Sequence, residues 1–449
     1  MLFEMKHQCR ISAGNMLVDD LFSLFQAQDL KLIYQGGNVR PRRVIGNLQT
    51  HIGMMKIPFP AFDPNQVIKY LLFPPDTPNF LLLPRNPYLY RLKIRPMIDD
   101  STPALTPLSE LGEFGLIDRL TAGLKHKQAS TRKGVGDDAA VLQFGEKAVL
   151  VSKDLLIENI HFDLSYYPLR HLGYKAAVVN ISDIVAMNGR PTQMLVGMAI
   201  SAKFSVEAVE EIFAGIRLAC ERYEVDLVGG DTTSSSSGLV LSITIIGEAD
   251  PSEVVYRNTA RANDLICVSG DLGGAYAGLL LLEREKQVFK ANPEMQPDLE
   301  GNDYVLERQL KPEARLEVLD ILRQSRIKPT AMIDISDGLS SEAIHLCTSS
   351  GLGCTLFAER IPLDPVTVRV IESFEMDPLT AALNGGEDYE LLFTIPLEDH
   401  DKVKDITGIH LIGHMTEATA GMYLEAVSGA RIPLTSQGWD AYLKKDTPD

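Results

Sequence analysis

Between Ser109 and Tyr442 the hydrophobic pattern switches repeatedly between a helical period and short apolar runs. The stretch "SELGEFGLIDRLTAGLK" carries Leu111, Phe114, Ile117 and Leu120 at helical spacing behind Ser109 as a cap, which predicts a helix. "AAVLQF" and "AVLVSKDLLI" are short apolar runs that predict strands. A long helix is expected from Leu169 to Met187, then strand "QMLVGMAI", helix "SVEAVEEIFAGIRLACERYE" and strands "VDLVGGD" and "LVLSITIIGEA". A linker, "DPSEVVYRNTARAND", leads to a second unit. That unit has strand "LICVSG", a Gly-rich turn, helix "AYAGLLLLERE", a polar insertion, helix "PEARLEVLDILRQSR", strand "AMIDIS" and helix "LSSEAIHLCTSS". The fold class is therefore α/β (α+β type), with one mixed domain over 109–250 and another over 251–449. Their similar patterns suggest an internal duplication.

Residues 1–108 read differently. Prolines crowd "PFPAFDP" and "FPPDTPNFLLLPRNPYLY", and no helical period is sustained. The charge changes as well: residues 1–96 carry +6, and the remainder carries −23 of the total −17. This N-terminal segment is expected to be an extension outside the packed domains. Upstream sequence ahead of a start at Met97 is favoured over a genuine appendage.

The bulk numbers exclude several classes. A chain of 449 residues, 45% hydrophobic, has no apolar run long enough for a membrane span and no secretory signal pattern. Five scattered cysteines without a Cys-x-x-Cys pair argue for a reducing cytoplasm and against a zinc site. The acidic balance argues against a nucleic-acid partner and allows a protein that gathers divalent cations.

Acidic residues then change the picture. "GVGDDAAV" holds Asp137 and Asp138, "VSKDLL" holds Asp154, and "VNISDIVAMNG" puts Asp183 in an apolar helix. "LVGGDTT" holds Asp231, "AMIDISDGLSSE" holds Asp334 and Asp337, and "LNGGEDYELLF" holds Glu387 and Asp388. Singly, each has a plain explanation as turn chemistry or a helix cap; Ser336 or Asp337 would suit the latter. Together, mostly without basic neighbours in sequence, they fit a shared cation better than separate caps. Carboxylates with hydroxyls such as Ser152 and Ser336 suit Mg²⁺, and Mg²⁺ commonly accompanies substrate phosphates. No G-x-x-x-x-G-K-[ST] and no protein-kinase motif set is present.

"GEFGLIDRL", "GVGDDAAV", "VNISDIVAMNG", "LVGGDTT", "IDISDGL" and "NGGEDYELLF", in this order, resemble the thiamine-monophosphate kinase family. That family belongs to an ATP-binding superfamily with aminoimidazole ribonucleotide synthetase and selenophosphate synthetase. The resemblance covers about Glu110 to Tyr442. It implies ATP-dependent phosphorylation of thiamine monophosphate to thiamine diphosphate by direct transfer. It also implies a cytoplasmic homodimer whose N-terminal domains join strands into a β-barrel. The implied Mg²⁺ ligands, for several ions, are Asp138, Ser152, Asp154, Asp183, Asp231, Asp334 and Asp337. The implied ATP contacts are Tyr223, Gly230, Asp231, Arg257 and Ser336; the implied substrate contacts are His161, Glu387 and Trp439. Lys153 stands where the family usually has Thr, which leaves the number of ions open.

Plain structural explanations stand beside these. His161 could end a strand, Tyr223 could end a helix, Arg257 could be a solvated charge, and Trp439 could anchor a core. Within the superfamily, selenophosphate synthetase would want a reactive Cys near "GVGDDAAV", and the hydrogenase-maturation member a C-terminal Cys; neither is present. A nucleotide-binding paralogue without catalysis is the rival of another class. The retained acidic positions speak against it.

Overall fold

The structure is a computed structural model, and it describes residues 108–435. The Met97 start and Trp439 lie outside the described residues. The described part belongs to one compact unit, built on two sheets.

The first sheet has six strands in the order β1-β2-β3-β6-β4-β5. They are β1 (Thr131–Lys133), β2 (Ala140–Phe144), β3 (Lys147–Ile157), β4 (Arg190–Ile200), β5 (Asp226–Ser234) and β6 (Val240–Ala249). Helix α1 (Leu108–Thr121) precedes them; α2 (Leu169–Ala186) and α3 (Val206–Tyr223) connect them. Alternation sorts the two faces. Leu150, Leu156, Met194, Val196, Leu241, Ile243 and Ile245 are buried on one face, against the helices. Leu155, Ile157 and Leu195 lie on the other face and are exposed. Strand β5, at the sheet edge, is exposed along its whole length.

The second sheet has seven strands in the order β13-β12-β9-β11-β7-β10-β8. They are β7 (Leu265–Ser269), β8 (Ala331–Asp334), β9 (Leu352–Phe357), β10 (Leu391–Ile395), β11 (Ile409–Glu417), β12 (Met422–Glu425) and β13 (Arg431–Pro433). Helices α4 (Gly274–Ala291), α5 (Asp303–Leu310), α6 (Leu316–Gln324), α7 (Leu339–Ser350), α8 (Pro365–Ser373), α9 (Pro378–Asn384) and α10 (His400–Val403) complete it. Strands β10 and β8, at one end of this order, are buried at every position. Such continuous burial needs apolar runs rather than alternation, as "AMI" and "LLFTI" provide.

Four local outcomes depart from the sequence reading, the first being that Ser109 falls inside α1 rather than capping it. The polar insertion ends in a helix, α5, that its short amphipathic run did not announce. Helix α6 begins at Leu316 rather than at Pro312, because Glu313 and Arg315 are held by side-chain bonds before the first turn. Gly338 takes the N-cap position of α7, so neither Ser336 nor Asp337 is the cap residue.

Helix α2 joins the two halves. Fourteen of its residues are buried, including the polar Lys175, Asn180 and Ser182. Each fully buried aliphatic side chain contributes about 1.5–3 kcal/mol. The buried polar groups instead require partners, and they find them in the second half of the chain and on β3.

Candidate active site

Four elements bring carboxylates together. Asp138 comes from the turn before β2, Asp154 from β3, Asp183 from α2 and Asp334 from the end of β8. Carboxylate oxygens of Asp138, Asp183 and Asp334 lie within 4.8 Å of one another. Ser152 Oγ donates to Asp183 Oδ2 at 2.6 Å, and Ser182 Oγ donates to Asp334 Oδ2 at 2.5 Å. The Asp154 N–H donates to Asn180 Oδ1 at 3.0 Å. Alternation along β3 puts Ser152 and Asp154 on the α2 side; Lys153 points the other way and bonds Ser242 Oγ.

The electrostatics follow from burial and like charge. Burial pushes the Asp138 carboxyl up to about 8, against the pull of Arg257 and with the help of Asp334 and Asp137. Burial and then Asp334 raise Asp154 to about 6. Asp183 is raised by burial, then by Asp154 and Asp334. Asp334 is raised by burial despite the hydrogen bond from Ser182. These carboxylates are short of positive charge.

Basic partners do exist at some of the acidic turns, contrary to the sequence expectation. Arg257 Nη2 donates to Asp138 Oδ1 at 2.5 Å, and Lys133 lies 3.3 Å from Asp137. Both cations come from elsewhere in the chain or from the preceding strand. Among the described residues, no ammonium or guanidinium forms an ion pair with Asp154, Asp183 or Asp334. Asp138 Oδ2 is buried without a partner.

The motif around Glu387 packs directly on this site. The Glu387 N–H donates to the Ser336 carbonyl at 2.7 Å, and the Tyr389 N–H to that of Ile335 at 2.8 Å. The approach is close enough that a Cβ on Gly386, at φ +72°, would lie 2.6 Å from the Ser336 carbonyl oxygen. Asp337 is held through its N–H, which donates to Glu342 Oε1 at 3.1 Å. Glu387 itself meets Lys175 at 2.9 Å and Gln309 Nε2 at 2.8 Å. His161 accepts from the Ile157 N–H at 3.0 Å and lies within electrostatic range of Glu387 and Lys175.

Other expected residues fall elsewhere. Strand register aligns Asp231 with Gly197, Ser242 and Leu155, three strand spacings from β3 and on its uncovered face. That puts Asp231 about 14 Å from β3, on the side opposite Asp154. Gly230 lies beside it on the same exposed strand. Tyr223 is buried, and its hydroxyl is engaged by Glu313 at 2.6 Å and by the Ala314 N–H at 2.9 Å. Arg257 touches the carboxylate Asp138.

Sequence reasoning missed Lys175, Ser182, Asn180 and Glu342. A signal existed for the first three. Lys175 and Ser182 are seven apart, Asn180 and Asp183 three apart, so an apolar helix carries a polar stripe at helical spacing.

Carboxylates from separate elements, half-buried or buried and converging without enough cations, are an arrangement typical of functional sites rather than of structural ion pairs. Comparison with known proteins identifies the family. Residues 136–249 match the family model "AIR synthase related protein, N-terminal domain". The thiamine-monophosphate kinase of Aquifex aeolicus (strain VF5) is 37% identical over 302 residues, which is 67% of this chain and 92% of that protein. That of Bacillus subtilis (strain 168) is 31% identical over 339 residues, 74% of this chain and 100% of that protein. A solved structure described as "AaThiL complexed with AMPPCP and TMP" superposes with a TM-score of 0.65 at 31% identity, covering 76% of this chain and 100% of that one. The chain belongs to the thiamine-monophosphate kinase family.

Proposed function

We propose that this protein transfers the terminal phosphoryl group of ATP to the phosphate of thiamine monophosphate, forming thiamine diphosphate and ADP. A phosphate oxygen of the acceptor attacks the γ-phosphorus, and the bond to the β,γ-bridging oxygen breaks. The observation that carries the reading is the convergence of Asp138, Asp183 and Asp334 within 4.8 Å, in a chain of this family.

The donor set suits Mg²⁺. All three are hard carboxylate oxygens, and the partnerless Asp138 Oδ2 is an acceptor that lacks a donor. In this reading Asp138, Asp183 and Asp334 hold the ion, with Asp154, Ser152 and Asp337 beside them. Bound Mg²⁺ supplies the positive charge that lets two polyanions approach and that stabilises the transferring group. Once Asp138 is committed to metal, Arg257 is free to exchange it for a nucleotide phosphate. Ser336 lies in the same turn. Glu387 and His161 receive the organic part of the acceptor. The acceptor phosphate is anionic near neutral pH, so no strong general base is required. The Tyr223 hydroxyl is occupied, so that residue contributes through packing rather than through a nucleotide contact.

A homodimer completes the arrangement. The uncovered apolar face of the first sheet and the exposed edge strand β5 suit pairing with a second copy into a barrel. Gly230 and Asp231 then lie at the junction rather than in solvent. The described cysteines are all free, which agrees with a cytoplasmic location. No helix among the described residues is long and apolar enough to cross a membrane.

ADP release, measured with thiamine monophosphate, thiamine and other phosphate monoesters, tests the function. Mg²⁺-dependent release with thiamine monophosphate is expected. Equal release with thiamine, or none with any acceptor, overturns the reading.

A further inference from the structure

Lys175 has no part in the reading above, yet it is among the most costly residues in the protein to bury. It is 1% exposed, in the middle of α2. A lysine withdrawn from water keeps its charge only where acceptors replace the water. Three groups do so: Glu387 Oε1 at 2.9 Å, the Gln309 carbonyl at 3.2 Å, and the Tyr167 ring, whose centroid is 5.6 Å from Nζ. Glu387 Oε2 accepts from Gln309 Nε2 at 2.8 Å, so both carboxylate oxygens are held.

The Glu387 loop needs such a hold. Glu387 and Tyr389 both adopt left-handed backbone conformations, at φ 59° and 52°. Non-glycine residues there cost of order 1 kcal/mol or more each, and persist where the surroundings fix them. The fixing residue is also placed to measure. Ser182 and Asp183 follow Lys175 on the same helix by seven and eight residues, so the acidic cluster lies about 10 Å further along α2. One rigid helix therefore carries both the group that holds Asp334 and the group that holds Glu387.

We propose that Lys175 is a positioning residue for acceptor recognition. From the buried face of α2 it holds the Glu387 carboxylate at a set distance from the acidic cluster, and this spacing selects phosphate monoesters of matching length. The proposal rests on the functional reading above, with Glu387 as an acceptor contact. Lys175 acts through Glu387 and touches no reacting atom.

The test is a double-mutant cycle on the full chain: Lys175→Met, Glu387→Gln and both together, with KM for thiamine monophosphate and for ATP and with Tm. Lys175→Met is expected to raise KM for thiamine monophosphate about tenfold, with a smaller effect on kcat and on KM for ATP. The double variant is expected to match Glu387→Gln alone, because the lysine has no other route to the substrate. Should Lys175→Met fail to fold, Lys175→Gln, which keeps a donor for the Gln309 carbonyl, carries the same comparison. A KM for thiamine monophosphate within about twofold of wild type overturns the proposal, as do single effects that multiply in the double variant. If the wild-type protein releases no ADP with thiamine monophosphate, the functional reading fails instead, before any variant is compared.

Discussion

Two groups of acidic side chains approach each other where β8 pairs with β10, with Asp334 opposite Leu391, and they are treated in opposite ways. Asp388 and Glu390, from the same motif as Glu387, are 1% and 0% exposed. Glu390 accepts from Arg308 at 2.7 Å, from Arg315 Nε at 2.8 Å and from Ser269 Oγ at 2.5 Å. Asp388 accepts from the Gly273 N–H at 2.8 Å, at the start of α4, and lies 3.4 Å from Arg308. Asp183 and Asp334, by contrast, have hydroxyl donors and no ion pair among the described residues. Asp334 is as buried as the first group, at 4% exposed, and Asp183 beside it is half-buried. The first is neutralised by the protein itself. The second is left for something that arrives, because an unpaired buried charge is too costly to keep without a use.

The comparison breaks most visibly at the unpaired group. Asp183→Asn or Asp334→Asn should lower kcat about 10³-fold, since one fixed charge in a water-poor site is lost. The same change should leave the metal-free Tm unlowered, because Asn needs no proton to sit in that environment. Steady-state kinetics and thermal melts in EDTA read both. Near-normal turnover at limiting Mg²⁺ would remove the basis for a metal cluster here.

At the paired group the sign reverses. Glu390→Gln leaves Arg308 and Arg315 without their shared carboxylate, and should cost about 3 kcal/mol of stability, measured by urea denaturation. Any loss of turnover should follow from the unfolded fraction. A variant as stable as wild type would show that Asp388 alone suffices to hold Arg308.

The sequence carries one side of this contrast better than the other. Asp183 stood out because Val179, Ile181, Ile184 and Val185 flank it, and Asp334 because it ends an apolar strand. Local context marks a buried acid in this way, and the mixed two-sheet architecture is legible from strand and helix runs for the same reason. What cancels an acid is not local. Arg308 and Arg315 lie 82 and 75 residues from Glu390, and Arg257 lies 119 from Asp138. No pattern along the chain predicts such pairings, so Glu390 and Asp183 look alike until the fold is known. The same limit applies to Asp231: its acidic turn reads like the others, while strand order places it on the far face.

Titration sharpens the contrast further. Burial raises Asp154 to about 6 and Asp138 to about 8, from an ordinary value of 3.8. A carboxyl whose folded value is raised binds its proton more tightly in the folded state. Its contribution is fully present below the ordinary value and is lost as pH rises through the folded value. Metal-free protein should therefore lose stability between about pH 4 and pH 8. Mg²⁺ needs the deprotonated carboxylates, so the Tm gain on adding it should grow from pH 6 to pH 8. Thermal melts in EDTA and in MgCl₂ across that range provide the measurement. A gain independent of pH would mean that Mg²⁺ binds elsewhere.

The smallest effect is expected at Lys153, and it asks whether the unpaired group is complete without a hydroxyl there. Ser152 and Asp154 face α2, so alternation turns the intervening side chain to the opposite face, where Lys153 bonds Ser242 Oγ. From that face neither an ammonium nor a hydroxyl reaches Asp183 or Asp334, and only the backbone of residue 153 borders the cluster. Lys153→Thr, the exchange that the sequence resemblance suggests, should change kcat and the Mg²⁺ concentration for half-maximal rate by no more than about twofold, the scale of an ordinary surface substitution. A tenfold fall in the required Mg²⁺ would show that residue 153 turns its side chain to the metal during turnover, and the division of β3 into a ligand face and an open face would need redrawing.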